Sequence, residues 1–253
     1  RQRELDGLML DFYLIVSDYR AAYGRSWLAL ANRLLPPNVF PFEHDGLAAK
    51  YAVLSEDHFR RECGPAARTA SVYARFAQPS RLVWTADDAA RRMAVGAVAQ
   101  AAPTLLAFAR PTMTDAEAVN PLAVWKRAFK LTYAAELRAE RESRPEAIVD
   151  ADPARYRAFA QASGALDEGG GYSESDRRDF EKAWRHVQRR GKRASVLRLL
   201  KASFTFANGI DYLAWKINRH AGTAIEVKPW QRRWPLIAAL ILLPRLLRRG
   251  VIR

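Results

Sequence analysis

The sequence predicts an α/β domain at its N-terminal end, a helical region behind it, and a basic, amphipathic helical tail. Three observations carry this. Short apolar runs of strand composition alternate with helical periodicity over residues 1–85. Helical patterning alone fills the stretch from Asp87 to about Ala162. Charge then becomes lopsided: residues 182–253 hold 17 Lys/Arg against 2 Asp/Glu, whereas residues 1–181 hold 24 against 25. The net charge of +14 therefore belongs to the last third of a 253-residue chain. Such asymmetry points to a polyanionic partner, either nucleic acid or an anionic membrane surface.

The elements follow in order. "LMLDFYLIV" is short, apolar and rich in β-branched and aromatic residues, and reads as a buried strand ended by Ser17-Asp18. "YRAAYGRSWLALANRLL" reads as one helix stopped by Pro36-Pro37. "NVFPF" and "AAKYAVLS" are strands around the turn "EHDG". Ser55 caps a helix with Asp57 and His58 in its first turn. "SVYARFAQPSRLVW" reads as a helix end leading into a short strand. Farther on, Thr114 is an N-cap, and Pro121 divides the helical stretch behind it. "GALDEGGGYSESD" is a Gly/Ser/acidic linker. The expected division is 1–85, 86–165, a linker and helix start over 166–181, and the tail over 182–253.

Cys63 is the lone cysteine, so no internal disulfide and no paired-cysteine metal site can form; a reducing compartment follows. It reads as a packed small residue, not a nucleophile. His44, His58, His186 and His220 have no metal-ligand spacing and read as non-catalytic.

Asp11 sits in the middle of the first apolar run. A buried lone carboxylate costs several kcal/mol unless it is paired or binds a cation. One reading places it near the strand end, hydrogen-bonded to a loop. The other makes it a metal ligand, because nucleotidyltransferases of the polymerase-beta type hold Mg²⁺ with aspartates on such a strand. That type has two carboxylates one residue apart, whereas Met9 and Tyr13 flank Asp11 here.

In the tail, Val196, Leu199, Leu200 and Phe204 recur at helical spacing among cations. The apolar stretch from Trp234 to Pro244 has 11 residues, well short of the roughly 20 that a spanning helix needs. Trp230, Arg232, Arg233 and Trp234 precede it, and Arg245, Arg248 and Arg249 follow it. Indoles at headgroup level and arginines reaching to phosphate describe a segment lying in the membrane interface. An amphipathic helix packed on the globule is the alternative.

Four segments together resemble a known family. "LMLDFYLIV", "AAKYAVLS", "SVYARFAQP" and "LTYAAELR" occur in the order and at the spacings of the mitochondrial phosphatidate cytidylyltransferases, also called translocator assembly and maintenance proteins, whose segments read "MLDF", "KYGV", "YxAGRLxKP" and "LSYxGDxR". The resemblance covers about residues 5–160 and suggests a divergent, bacterial-like member. It implies a nucleotidyltransferase-like domain followed by a helical, winged-helix-like domain. It implies an enzyme that uses CTP, phosphatidic acid and Mg²⁺ to make CDP-diacylglycerol and pyrophosphate. Asp11 falls on the family's strand aspartate and is the implied metal ligand. Lys50 and Arg75 are implied to neutralise phosphate during catalysis. Tyr51, Tyr73, Tyr133, Glu136 and Arg138 fall on substrate-binding segments, with Glu136 either a second ligand or an orienter of Arg138. The pattern also departs: "AGRL" is "ARFA" here, and Gly-Asp is Ala135-Glu136. The family's Gly-Ser turn lies upstream of its strand, so this chain is expected to begin after that element and to be N-terminally incomplete.

Two functional classes thus stand side by side. One is a cytidylyltransferase that is cytoplasmic and peripheral on the inner face of the membrane. The other is a nucleic-acid-binding nucleotidyltransferase relative, and a non-catalytic lipid-binding family member is a third reading. A nucleic-acid arm would be polar and basic with isolated aromatics. The Leu/Ile/Trp-rich tail suits lipid better.

Overall fold

The computed structural model describes residues 9–136, 144–164, 171–205 and 226–233. It is mixed α/β, a small three-stranded sheet with many helices. Two compact units emerge: residues 1–58 with 194–253, and residues 59–193. Composition had set boundaries at 85, 165 and 181. The contacts instead divide the chain inside two helices, α3 (Glu56–Cys63) and α11 (Glu174–Thr205).

The sheet unit contains β1 (Met9–Val16), β2 (Asn38–His44) and β3 (Leu47–Ser55) in the order β1-β3-β2. β1 runs parallel to β3, and β2 runs antiparallel to it. Asp45 and Gly46 both have positive φ, 48° and 75°, between the paired His44 and Leu47. That is the backbone of a tight two-residue hairpin, which Asp-Gly favours because both residues tolerate the left-handed region. Pro41 lies in β2, the last strand of the sheet among the described residues, where a missing N–H is tolerated.

The expectation of a buried first strand is corrected. β1 comes first in the sheet order among the described residues, and its Phe12 and Leu14 are 39% and 44% exposed. The apolar cluster of this unit gathers Tyr19, Ala29 and Val53 with Val16, Tyr23, Phe40 and Tyr51. It covers one end of β1 and leaves the middle half open. The single helix predicted over residues 19–35 is instead two, α1 (Tyr19–Ala22) and α2 (Ser26–Leu34). The break falls at Tyr23-Gly24-Arg25, where Tyr23 turns extended and its ring packs on Phe40 at 6.0 Å.

Two buried asparagines tie α2 to the sheet. Asn32 donates through Nδ2 to the Val53 carbonyl (2.9 Å) and the Tyr23 hydroxyl (3.1 Å), and its Oδ1 accepts from the Asn38 backbone N–H. Asn38 donates through Nδ2 to the Leu28 carbonyl at 3.1 Å. The carbonyls that end α2 are capped from α11. Arg198 Nε donates to Pro36 O at 2.8 Å, and Lys201 Nζ donates to Pro37 O at 2.9 Å and to Leu35 O.

The helical unit comprises the rest of α3, then α4 (Ser71–Phe76), α5 (Asp88–Ala99), α6 (Ala101–Ala109), a 3₁₀ turn (Arg110–Thr112), α7 (Asp115–Ala118), α8 (Pro121–Tyr133), α9 (Arg144–Asp150), α10 (Pro153–Ser163) and the first part of α11. Thr114 caps α7 and Pro121 divides the stretch, as the sequence predicts; Glu117 completes a capping box with Thr114, and Asn120 caps α8. The core centres on Trp125, Phe129 and Tyr156, with ring centroids 5.0–5.8 Å apart. Trp184 of α11 belongs to the same core, and its Nε1 donates to Phe108 O at 2.8 Å. The strand expected in "PSRLVW" is absent. Leu82, Val83 and Trp84 are 48%, 67% and 74% exposed in a segment without regular structure, because an apolar run becomes a strand only where a partner strand receives its hydrogen bonds. A short helix, α12 (Pro229–Arg233), lies in the last described segment.

Candidate functional site

Asp11 and Lys50 are direct partners in the parallel pairing of β1 and β3. Side chains at matched positions of neighbouring strands leave the sheet on the same face. The Lys50 ammonium accordingly sits 2.9 Å from Asp11 Oδ1, with the two side chains 28% and 35% exposed. Asp11 is thus neither at the strand end nor buried. The lysine and the partial exposure offset what would otherwise be a desolvation penalty.

Tyr51 follows Lys50 and so faces the opposite side of the sheet. There it stacks on Phe40 with centroids 5.4 Å apart, inside the aromatic cluster under α1 and α2. A substrate on the Asp11–Lys50 face would not meet this ring, which counters the implied pairing of Lys50 and Tyr51 in one site.

Tyr73, Arg75, Tyr133 and Glu136 lie in the helical unit. Tyr73 is 2% exposed, packed edge-on against Phe108 at 6.1 Å. Burial pushes its hydroxyl pKa up, and the charges of Glu62 and Glu136 push it further, so the third and fourth family-like segments meet at this tyrosine. The ring is core, with little surface left for a ligand. Arg75 is exposed on α4, and Tyr133 and Glu136 are partly exposed at the end of α8. Arg138, Trp234, Arg245, Arg248 and Arg249 lie outside the described residues, as do the side chains of Arg232 and Arg233. Trp230 is 42% exposed on α12, beside a buried Gln231 that accepts from the Lys228 N–H at 2.7 Å.

Three of the four histidines read as inert have structural partners, and His220 lies outside the described residues. His58 Nδ1 pairs with the Tyr19 hydroxyl at 2.8 Å, His44 lies 3.4 Å from Asp45, and His186 contacts Arg190 at 3.1 Å. Cys63 is fully buried, and burial pushes its thiol up to about 12, leaving it protonated at neutral pH. Glu62 escaped the sequence reading. It is 5% exposed, takes two hydrogen bonds from Arg61, and accepts the Arg68 and Thr69 N–H groups, so it closes the loop after α3. Its position in the run "RREC" gives no sign of that work.

Among the described residues no three His, Cys, Asp or Glu side chains gather into a cation site. The donor set is one half-exposed carboxylate beside a lysine. That fits Mg²⁺ of the kind held by one acidic side chain and by the phosphates of its nucleotide, and does not fit an all-protein cage.

The chain matches none of the protein-family models, curated proteins or solved structures with which it was compared.

Proposed function

We propose that the protein is a membrane-peripheral CTP:phosphatidate cytidylyltransferase, a nucleotidyltransferase-like domain joined to a winged-helix-like one. The observation that supports it is the carboxylate–ammonium pair of Asp11 and Lys50, partly exposed on adjacent strands of the sheet, within the segments that resemble the family. In the reaction a phosphatidate oxygen attacks the α-phosphorus of CTP. A new P–O bond forms, the bond to the bridging oxygen breaks, and pyrophosphate leaves. The step joins anions, so fixed positive charge serves it more than a strong base does.

Asp11 is the residue that would hold Mg²⁺, and the ion when bound supplies charge neutralisation to the triphosphate. Lys50 keeps the Asp11 carboxylate oriented and lends an ammonium to the phosphate charge on the same face. Arg75 and Arg138 as phosphate partners, and Tyr133 and Glu136 as substrate contacts, rest on the resemblance alone. Among the described residues one helical run, Asp88–Thr112, is long and apolar enough to cross a membrane. We read it as α5 plus α6 of a globular unit, because Ala101, Leu105, Leu106 and Ala109 are fully buried in the core.

The test is turnover. Wild-type protein with CTP, Mg²⁺ and mixed phosphatidate vesicles should release pyrophosphate and form CDP-diacylglycerol. Asp11→Asn should abolish this while the thermal midpoint stays nearly unchanged, because a half-exposed ion pair contributes only about 0–1 kcal/mol. A variant that keeps most of its rate would make Asp11 a structural partner of Lys50. Vesicle binding without any turnover would favour a non-catalytic lipid-binding protein.

A further inference from the structure

The helical unit has a cavity of about 480 Å³ lined by Arg110, Asp115, Val119, Arg157 and Gln161, among others. None of these residues figures in the cytidylyltransferase reading. Arg110 leaves the 3₁₀ turn with its Nε buried and without a hydrogen-bond partner. Buried donors in folded proteins nearly always find an acceptor, so the Arg110 guanidinium beside this cavity has hydrogen-bonding capacity that the protein leaves unused. The ring of Tyr172 lies 5.8 Å from the Arg110 guanidinium carbon and holds its plane from one side. Arg157 comes from α10, exposed on the same cavity, and Gln161 follows one helical turn later. No ion pair engages either arginine among the described residues.

Two guanidinium forks against one carboxylate leave the cavity with a surplus of positive charge, in the planar donor geometry that suits phosphate. Asp115 repels an anion but accepts hydroxyl protons. The volume falls within the range of small-molecule sites. We propose that this cavity binds a phosphomonoester that carries hydroxyl groups, its phosphate between Arg110 and Arg157 and a hydroxyl on Asp115. The phosphomonoester could be a soluble metabolite or a lipid headgroup.

Calorimetric titration of the full chain with inorganic phosphate and with glycerol 3-phosphate tests this, and phosphatidate vesicles form a separate arm. Both soluble probes should bind saturably, glycerol 3-phosphate more tightly. Arg157→Gln, at an exposed position that folding does not need, should weaken both about tenfold or more, and Arg110→Gln should do the same. Asp115→Ala should strengthen inorganic phosphate and erase the preference for glycerol 3-phosphate. Vesicle binding that falls with Arg157→Gln would identify a lipid headgroup, and soluble binding alone would identify a metabolite. Absence of saturable binding, or affinities unchanged in Arg157→Gln, would overturn the proposal.

Discussion

At the scale of single residues, the strongest constraints are the ones a linear reading sees least. Asn32 reads as an ordinary polar residue in a helical run, yet it is fully buried and serves three partners: Val53, Tyr23 and Asn38. Those partners lie up to 21 positions away in sequence, and no periodicity encodes them. Asn32→Ala should destabilise the sheet unit by about 2–4 kcal/mol, because it orphans a buried carbonyl and a buried N–H together. Urea unfolding of the variant measures this, and a loss under about 0.5 kcal/mol would contradict it. Lys201 gives a second test. Burial, and then the charge of Arg198, lowers its pKa to about 7 from 10.5. A neutral amine still has the two donors needed for Leu35 O and Pro37 O. The folded pKa is below the unfolded one, so the penalty for burying the charge is complete below about pH 7 and is relieved as pH rises toward the unfolded value. Wild-type stability should therefore increase from about pH 6.5 to about pH 7.5, a window that ends before the unfolded thiol of Cys63 ionises appreciably. Lys201→Gln should flatten that rise in urea midpoints.

At the scale of elements, sequence patterns served well where one local rule governs. β2 and β3 followed from two runs around the turn "EHDG", α7 from Thr114 as an N-cap, and the start of α8 from Pro121. Patterns failed where tertiary contacts decide. The apolar run at residues 82–84 found no strand to pair with, and the helix expected over residues 19–35 broke so that Tyr23 could join the aromatic cluster. The charge boundary at residue 182 likewise missed that α11 is packed through that point. Trp184 is in the core, and at Gly191 an added Cβ would lie 2.2 Å from the Ala135 carbonyl oxygen. Glycine inside a helix normally costs about 1 kcal/mol relative to alanine. Here its absence of a side chain lets α11 cross the end of α8, and backbone rather than a flexible side chain occupies the space. Gly191→Ala should therefore destabilise the helical unit by about 1–3 kcal/mol, the cost of overpacking. An increase in thermal midpoint would show that α11 does not approach α8 this closely.

At the scale of the whole molecule, the charge asymmetry plain in the sequence has to be reconciled with packing. Part of the basic third is committed to structure: Arg198 and Lys201 cap α2, and α11 runs on to Thr205. Residues 206–253 still carry 9 Lys/Arg against 2 Asp/Glu, together with the Trp-flanked apolar stretch. That surplus, with the exposed Arg189, Arg190, Lys192 and Arg193 of α11, is what the sequence offers a polyanion. If the partner is a membrane, binding has two parts with different salt sensitivity. Each cation near an anionic surface contributes about 1 kcal/mol and is screened within a Debye length. Burial of the 234–243 stretch and of Trp230 is not screened. Full-length protein should therefore sediment with anionic vesicles, weaken as salt rises, and keep a residual salt-resistant fraction. Exchanging Arg232, Arg233, Arg245, Arg248 and Arg249 for Gln should remove the salt-sensitive part, and Trp230→Ser with Trp234→Ser should remove the resistant part. A nucleic-acid partner behaves differently, because its affinity comes from counterion release and falls steeply and linearly on logarithmic salt axes with no resistant fraction. Vesicle sedimentation and RNA gel shift run across one salt series separate the two. Steep binding to RNA with none to vesicles would refute the membrane assignment, and with it the phosphatidate substrate, which is presented only at a lipid surface.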